Sequence, residues 1–172
     1  HPVLEAINSD VSIEKILIRQ NTKISSHKEL RKLAEDKNIP IQYVPEEKIK
    51  LFTRNHNTQG IIAIISKIEF QNIENLIPII YERGEIPFLV ILDSITDVRN
   101  FGAIARTCEC AGVHAIIIPT KKTAPVNSIA IKSSAGALTK IPVCRSNNIK
   151  NTINYLKQTG IKCISVSEKG NK

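Results

Sequence analysis

Apolar residues in this chain fall into short, nearly unbroken runs separated by mixed or amphipathic stretches. The runs "IEKILI", "IQYV", "GIIAIIS", "FLVIL", "AIIIP", "IPVCR" and "KCISV" are short and rich in Ile and Val. That is the length and composition of strands buried in a sheet. Helical patterns lie between them. "HPVLEAI" is a short helix with Pro at its first turn. "SSHKELRKLAEDKN" predicts a Ser-capped amphipathic helix that stops near Asn38-Ile39-Pro40. "PEEKIKLF", Phe101–Ala111, about 126–137 and "NNIKNTINYLKQTG" supply further helices.

This order divides the chain. Residues 1–68 alternate short strands and helices and predict a small α/β/α unit with a buried last strand. Residues 69–87 are expected to be a connection holding one modest helix, which ends at Arg83-Gly84 ahead of Pro87, and no core strand. Residues 88–172 repeat β-α-β, the rhythm of a parallel sheet covered on both faces. The fold class is α/β. The series stops straight after its last strand, at "SEKGNK", so the sheet is expected to continue beyond Lys172.

Charge adds a partner. The net charge is +8, and residues 99–172 carry 12 Lys and Arg against only Glu109 and Glu168. Residues 1–68 carry 11 against 8. A bias so concentrated suits a polyanion, nucleic acid first. With four Phe, three Tyr and no Trp, recognition through backbone or shape is favoured over base stacking. No apolar run approaches the roughly 20 residues of a membrane span, and the expectation is a soluble cytoplasmic protein with no membrane partner. Cys108 and Cys110 are two apart on a helix and point to opposite sides, and no C-x-x-C occurs. The four cysteines are expected to be small buried hydrophobes rather than metal ligands. His114, beside a strand, is expected to be structural.

The stretch "DSITDVRNFGAIARTCECAGV" joins one predicted strand to the next through a polar turn and a helix. It has no G-x-G-x-x-G, no phosphate loop and no Ser or Cys elbow, which argues against a dinucleotide enzyme. Two readings stay open. In the structural one, Asn100 caps the helix, Gly102 permits close packing, Ala103, Ile104 and Ala111 face the sheet, and Arg106 is solvated. In the functional one, Asp93, Asp97, Arg99 and Asn100 lie at the carboxyl end of a parallel strand, where open α/β sheets bind ligands. Arg106 is close enough to bend back to the same mouth. A guanidinium stays protonated and is no ordinary base, but it can grip a phosphate or favour the ionised form of a nearby hydroxyl. Downstream, Ser133, Ser134, Ala135 and Gly136 form a small-residue cluster that lets backbones approach or helices pack tightly.

Together these segments resemble a known family. "LDSITDVRNFGAIARTCECAGVHAIII" is similar to the first motif of the SpoU-type RNA ribose 2′-O-methyltransferases of the SPOUT superfamily. "SSAGALTKIPV" resembles the segment that follows it, "HPVLEA" the opening of the N-terminal domain, and "NTQGIIAII" the end of that domain. Thr58 stands where many members have His. The resemblance implies a ribosomal-protein-like RNA-binding domain over residues 1–68, a linker over 69–87, and the first part of a trefoil-knot methyltransferase domain over 88–172. It implies S-adenosylmethionine as donor, a ribose 2′-hydroxyl as acceptor, homodimerisation, and Asn100 and Arg106 as catalytic residues. The expected substrate is a guanosine of ribosomal RNA. A transfer RNA enzyme or a non-catalytic RNA-binding protein are the alternatives. Cofactor-binding residues are expected beyond Lys172, so residues 1–172 alone are expected to bind the donor poorly. Arg54, Arg99, Lys121, Lys122, Lys132, Lys140 and Arg145 are the candidate RNA contacts, and no metal is expected.

Overall fold

The computed structural model describes residues 2–9, 11–20, 27–53 and 58–166. Two sheets organise them. The first is built from β1 (Ile13–Arg19), β2 (Ile41–Val44) and β3 (Ile61–Ile65) in the order β2-β1-β3. β1 runs parallel to β2 and antiparallel to β3. Ile13, Ile16 and Ile18 of β1 pack with Ile7 of α1 (Pro2–Asn8) and with Leu30 and Ala34 of α2 (Lys28–Asp36). Leu17 points to the opposite face, against Val44 and Ile49 of α3 (Glu46–Thr53). Alternation of Ile16, Leu17 and Ile18 gives β1 two apolar faces, the irregularity between Ile13 and Lys15 keeps Ile13 on the face of Ile16, and the expected α/β/α layering is present. Two details differ from expectation. β3 is an edge strand, half-buried, with Ile65 65 % exposed. The N-cap of α2 is His27, whose side chain makes no cap bond; Ser25 and Ser26 lie outside the described residues.

The second sheet is wholly parallel. It contains β4 (Phe70–Gln71), β5 (Leu89–Ile91), β6 (Ala115–Pro119) and β7 (Val143–Ser146), in the order β4-β7-β6-β5. Ile116, Ile118 and Val143 face Phe101, Ala105 and Cys108 of α5 (Val98–Cys110) and Ala130 of α6 (Ser128–Ser133). Ala115, Ile117 and Cys144 face Ile73 and Ile77 of α4 (Ile73–Glu82) and Leu156 of α7 (Ile149–Gln158). Helices on both faces explain why these strands read as continuous apolar runs.

The segment expected to be a bare connection contributes more than that. Phe70 and Gln71 pair with Val143 and Cys144, and α4 buries Ile73, Ile77 and Ile80. Two residues make no visible run, so β4 leaves no sequence pattern. The expected last strand, by contrast, is irregular over residues 161–166. Ile161 and Cys163 reach the apolar cluster of the α4/α7 face. Ile164 and Val166, 77 % and 97 % exposed, pack against nothing that would hold a ladder.

Candidate functional site

β5 ends in a polar loop that leads straight into α5. Ser94 takes a left-handed backbone conformation (φ 59°), and its hydroxyl donates to Asp93 Oδ1 at 3.1 Å. The Ala124 N–H donates to the Ile95 carbonyl at 2.8 Å, tying this loop to the one after β6. Asp97, not Asn100, is the N-cap, and its Oδ1 accepts from the Asn100 N–H at 2.7 Å. Both are good capping residues. The helix begins earlier because Val98 packs against the core, which leaves Asn100 in the first turn with its side chain uncommitted to capping.

Helical geometry then sorts the motif. Phe101, Gly102, Ala105 and Cys108 are buried, whereas Arg99, Asn100, Ala103, Arg106, Thr107 and Cys110 are exposed. Ala103 and Ala111, expected against the sheet, face outward; Ile104 is half-buried. Asn100 and Arg106 flank the small side chain of Ala103, about 9 Å apart along the axis and roughly 120° around it. Arg99 and Arg106, seven apart, lie on nearly one line. Gly102 is the contact with α6. A Cβ there would stand 2.6 Å from Ser133 Cβ and 2.8 Å from the Ala130 carbonyl oxygen. The small-residue cluster therefore seats α6 on α5. Within it Ser134, fully buried, donates to the Ile131 carbonyl and accepts from the Leu138 N–H.

The candidate cations divide into separate sets. Arg99 and Arg106 share the exposed face of α5, and Lys132 is exposed on α6. Lys140 pairs with Glu109 at 3.8 Å, near the far end of α5. Lys121 and Lys122 follow β6 and line a gap of about 370 Å³ between the two sheets' units, together with Lys15 and Gln42. Arg54 lies outside the described residues. Arg145 requires correction as a phosphate contact. It is 7 % exposed; Nη1 donates to the Ile13 carbonyl and Nη2 to the Glu14 carbonyl, both at 2.7 Å. Its guanidinium also lies 3.3 Å from the Phe70 ring centroid and 3.4 Å from Glu14 Oε2. Burial lowers it to about 10, with Glu14 opposing the shift. Arg145 thus joins the two units, a role no local pattern announces because its partners lie far away in sequence.

His114 is structural, as expected. Its Nδ1 accepts from the Phe88 N–H at 3.0 Å, so Nε2 carries the hydrogen toward Glu85, 2.8 Å away. Cys144 and Cys108 are buried, with their thiols pushed up by burial, Cys144 to about 12. Cys110 is exposed and Cys163 half-buried, so the expectation of four buried cysteines holds for two. Among the described residues no group of three or more His, Cys, Asp or Glu could hold a metal ion, and no helix is long and apolar enough to cross a membrane.

Residues 87–172 match the model of the SpoU rRNA Methylase family. The chain belongs to that family. Residues 1–71 match a second model, RNA 2′-O ribose methyltransferase substrate binding. Two relatives fit this SpoU chain over most of its length. YacO of Bacillus subtilis, whose name assigns it to the TrmH family of tRNA/rRNA methyltransferases, is 34 % identical over 160 residues, 92 % of the chain. A protein of Staphylococcus epidermidis with the same family name is 33 % identical over 160 residues, 93 % of the chain. The SpoU chain spans 64 % of the length of each. Among solved structures, an AdoMet-bound rRNA methyltransferase from Sinorhizobium meliloti aligns with 90 % of this chain and 54 % of its own. The identity is 22 % and the TM-score 0.45.

Proposed function

We propose that this protein is an RNA ribose 2′-O-methyltransferase, with Asn100 and Arg106 as its catalytic residues. What supports the reading is an amide and a guanidinium on the open face of α5, at the carboxyl end of a parallel strand, in a chain of the SpoU family. The acceptor ribose supplies the nucleophile. Arg106 favours the ionised hydroxyl or grips the adjoining phosphate, and Asn100 orients the hydroxyl. Neither is the base: the hydroxyl's proton passes to water, which the exposed face of α5 admits.

In this reading the donor is S-adenosylmethionine, which supplies an electrophilic methyl group. The described mouth does not fit it. Asp93, Ser94, Thr96, Asp97, Arg99 and Asn100 are all exposed, whereas sites for ligands of that size bury most of the ligand. No described residue is assigned to the donor. Residues 1–68 are the substrate-binding unit and 88–172 belong to the methyltransferase unit. β4 and α4, from the intervening 69–87, go with the second sheet. Ribosomal RNA is the first substrate, with guanosine as the nucleotide. Transfer RNA is second, since the relatives' names carry both. The reading includes a cytoplasmic homodimer.

The test is mass-spectrometric mapping of 2′-O-methylated nucleotides in RNA from cells that carry the Arg106→Ala protein. Removing a group that stabilises developing charge lowers the rate by roughly 100-fold or more, so one mapped methyl should disappear. Lys157→Ala, exposed on α7 across the sheet from α5, should leave it. Full methylation with Arg106→Ala refutes the assignment.

A further inference from the structure

The gap between the two units carries chemistry that the α5 site does not use. It is bounded by Glu14, Lys15 and Gln42 on one side and by the Thr120–Pro125 loop on the other. Among the described residues its one lining carboxylate is already spent: Glu14 Oε1 accepts from the Val126 N–H at 3.2 Å and Oε2 faces Arg145. The side chains of Lys15, Lys121 and Lys122 have no ion-pair or hydrogen-bond partner among the described residues. The amide N–H groups of Lys121, Lys122 and Thr123 likewise donate to nothing described. Lys122 holds a left-handed conformation (φ 55°), the backbone state from which anion-binding concavities of successive N–H groups are built. Thr123 Oγ1 is buried without a partner, a state that costs stability until something supplies one.

The gap is also braced open. Arg145 spans it to the Ile13 and Glu14 carbonyls, and Asn147 Nδ2 donates to the Glu35 carbonyl at 3.0 Å. A wall of the gap touches the loop that starts α5, through Ala124 and Ile95. Uncompensated cations, free amides and a fixed width describe a channel for a sugar-phosphate backbone.

We infer that a single-stranded segment of the RNA substrate lies in this gap, its phosphates held by Lys15, Lys121 and Lys122, and runs from there to the face bearing Asn100. The inference rests on the RNA methyltransferase reading and adds the path by which the strand reaches the site. Single-strand binding loses about 0.7 in the slope of log K against log salt for each phosphate contact removed. Lys15→Gln/Lys121→Gln/Lys122→Gln should therefore lower the slope by about 2 and weaken binding roughly 100-fold at 0.1 M salt.

Fluorescence anisotropy with a labelled 12-nucleotide RNA, titrated from 50 to 200 mM salt, reads both quantities. The comparison protein is Lys67→Gln/Lys150→Gln/Lys157→Gln, which removes the same charge from exposed positions outside the gap. It should lose far less. Lys121→Gln/Lys122→Gln, confined to a surface loop, repeats the test where folding is not at issue and should lower the slope by about 1.4. Tight wild-type binding with equal losses in the two triple variants overturns the channel and leaves the RNA reading standing. Failure of the wild-type protein to bind RNA removes both.

Discussion

Replacing Gly102 with Ala sets two known effects against each other, and the geometry decides between them. In an unconstrained helix the change is favourable by about 1 kcal/mol, because Gly is the poorer helix former. Here the added Cβ meets Ser133 Cβ at 2.6 Å, the Ala130 carbonyl oxygen at 2.8 Å and the Ser134 nitrogen at 3.0 Å. Ordinary carbon contacts lie near 3.5–4.0 Å. None of the three atoms is the end of a flexible side chain, so relief requires α5 and α6 to separate by several tenths of an ångström. Overpacking of this kind costs about 1–3 kcal/mol. With backbone as the obstacle the upper end applies, for a net loss of about 2 kcal/mol. For a chain of this size that is a fall in Tm of roughly 4–8 °C, measured by calorimetry or urea unfolding with unchanged m. The double variant Gly102→Ala/Ser133→Gly should recover only part of the loss, since the Ala130 oxygen remains. A Gly102→Ala protein at least as stable as wild type refutes the close seating of the helices.

Other outcomes follow from buried and capping groups. Arg145→Met takes the guanidinium from the Ile13 and Glu14 carbonyls and from Glu14 Oε2, leaving the carboxylate only the Val126 N–H. It should cost about 3–5 kcal/mol, seen as a lower urea midpoint and as faster proteolysis between β3 and β4. Asp97→Ala removes the cap on the Asn100 N–H and should cost about 1 kcal/mol, whereas Asp97→Asn should cost little. A thiol reagent should label Cys110 in the native protein, and Cys108 and Cys144 only on unfolding, as their burial dictates. Burial raises Cys144 from 9.0 to about 12, so the native state keeps a proton that the unfolded chain loses above pH 9. Stability is therefore given up as pH rises from 9 toward 12. Arg145, lowered to about 10, works oppositely above pH 10. Urea midpoints at pH 8.5 and 10 should show a decline that Cys144→Ala reduces.

The strands that were legible are those with apolar residues on both faces, because a run such as "AIIIP" has few other uses. β4 was hidden by its length of two residues, and its pairing with Val143 is a property of the folded sheet. Asp97 and Asn100 both suit the cap of α5, and only the packing of Val98 chooses Asp97. Asn100 and Arg106 are candidates through their place in the motif, and the structure leaves both exposed on α5, on either side of Ala103. The inward role of Arg145 has no local sign, because a cation closing the strand "IPVCR" looks like any charge at a strand end. Its destination could not be read, since Ile13 and Glu14 belong to the other unit. Lys15 carried no signal at all: a lysine between Glu14 and Ile16 on a strand looks like any surface cation.

The order β4-β7-β6-β5 also has a meaning in time. The β1–β3 sheet closes with residues that end at Ile65, so the first unit can fold soon after it leaves the ribosome. β4 is made next, yet its partner Val143 comes last among the paired strands, as do Arg145 and Asn147, which clasp the first unit. At roughly 5–20 residues per second, β4 waits several seconds as an unpaired edge, with Phe70 bare and the clasp not yet synthesised. The seam between the units thus cannot form before β5, β6 and the helices between them have been made. During that interval Phe70 is the place where a holding chaperone, or a second nascent chain, would find a grip.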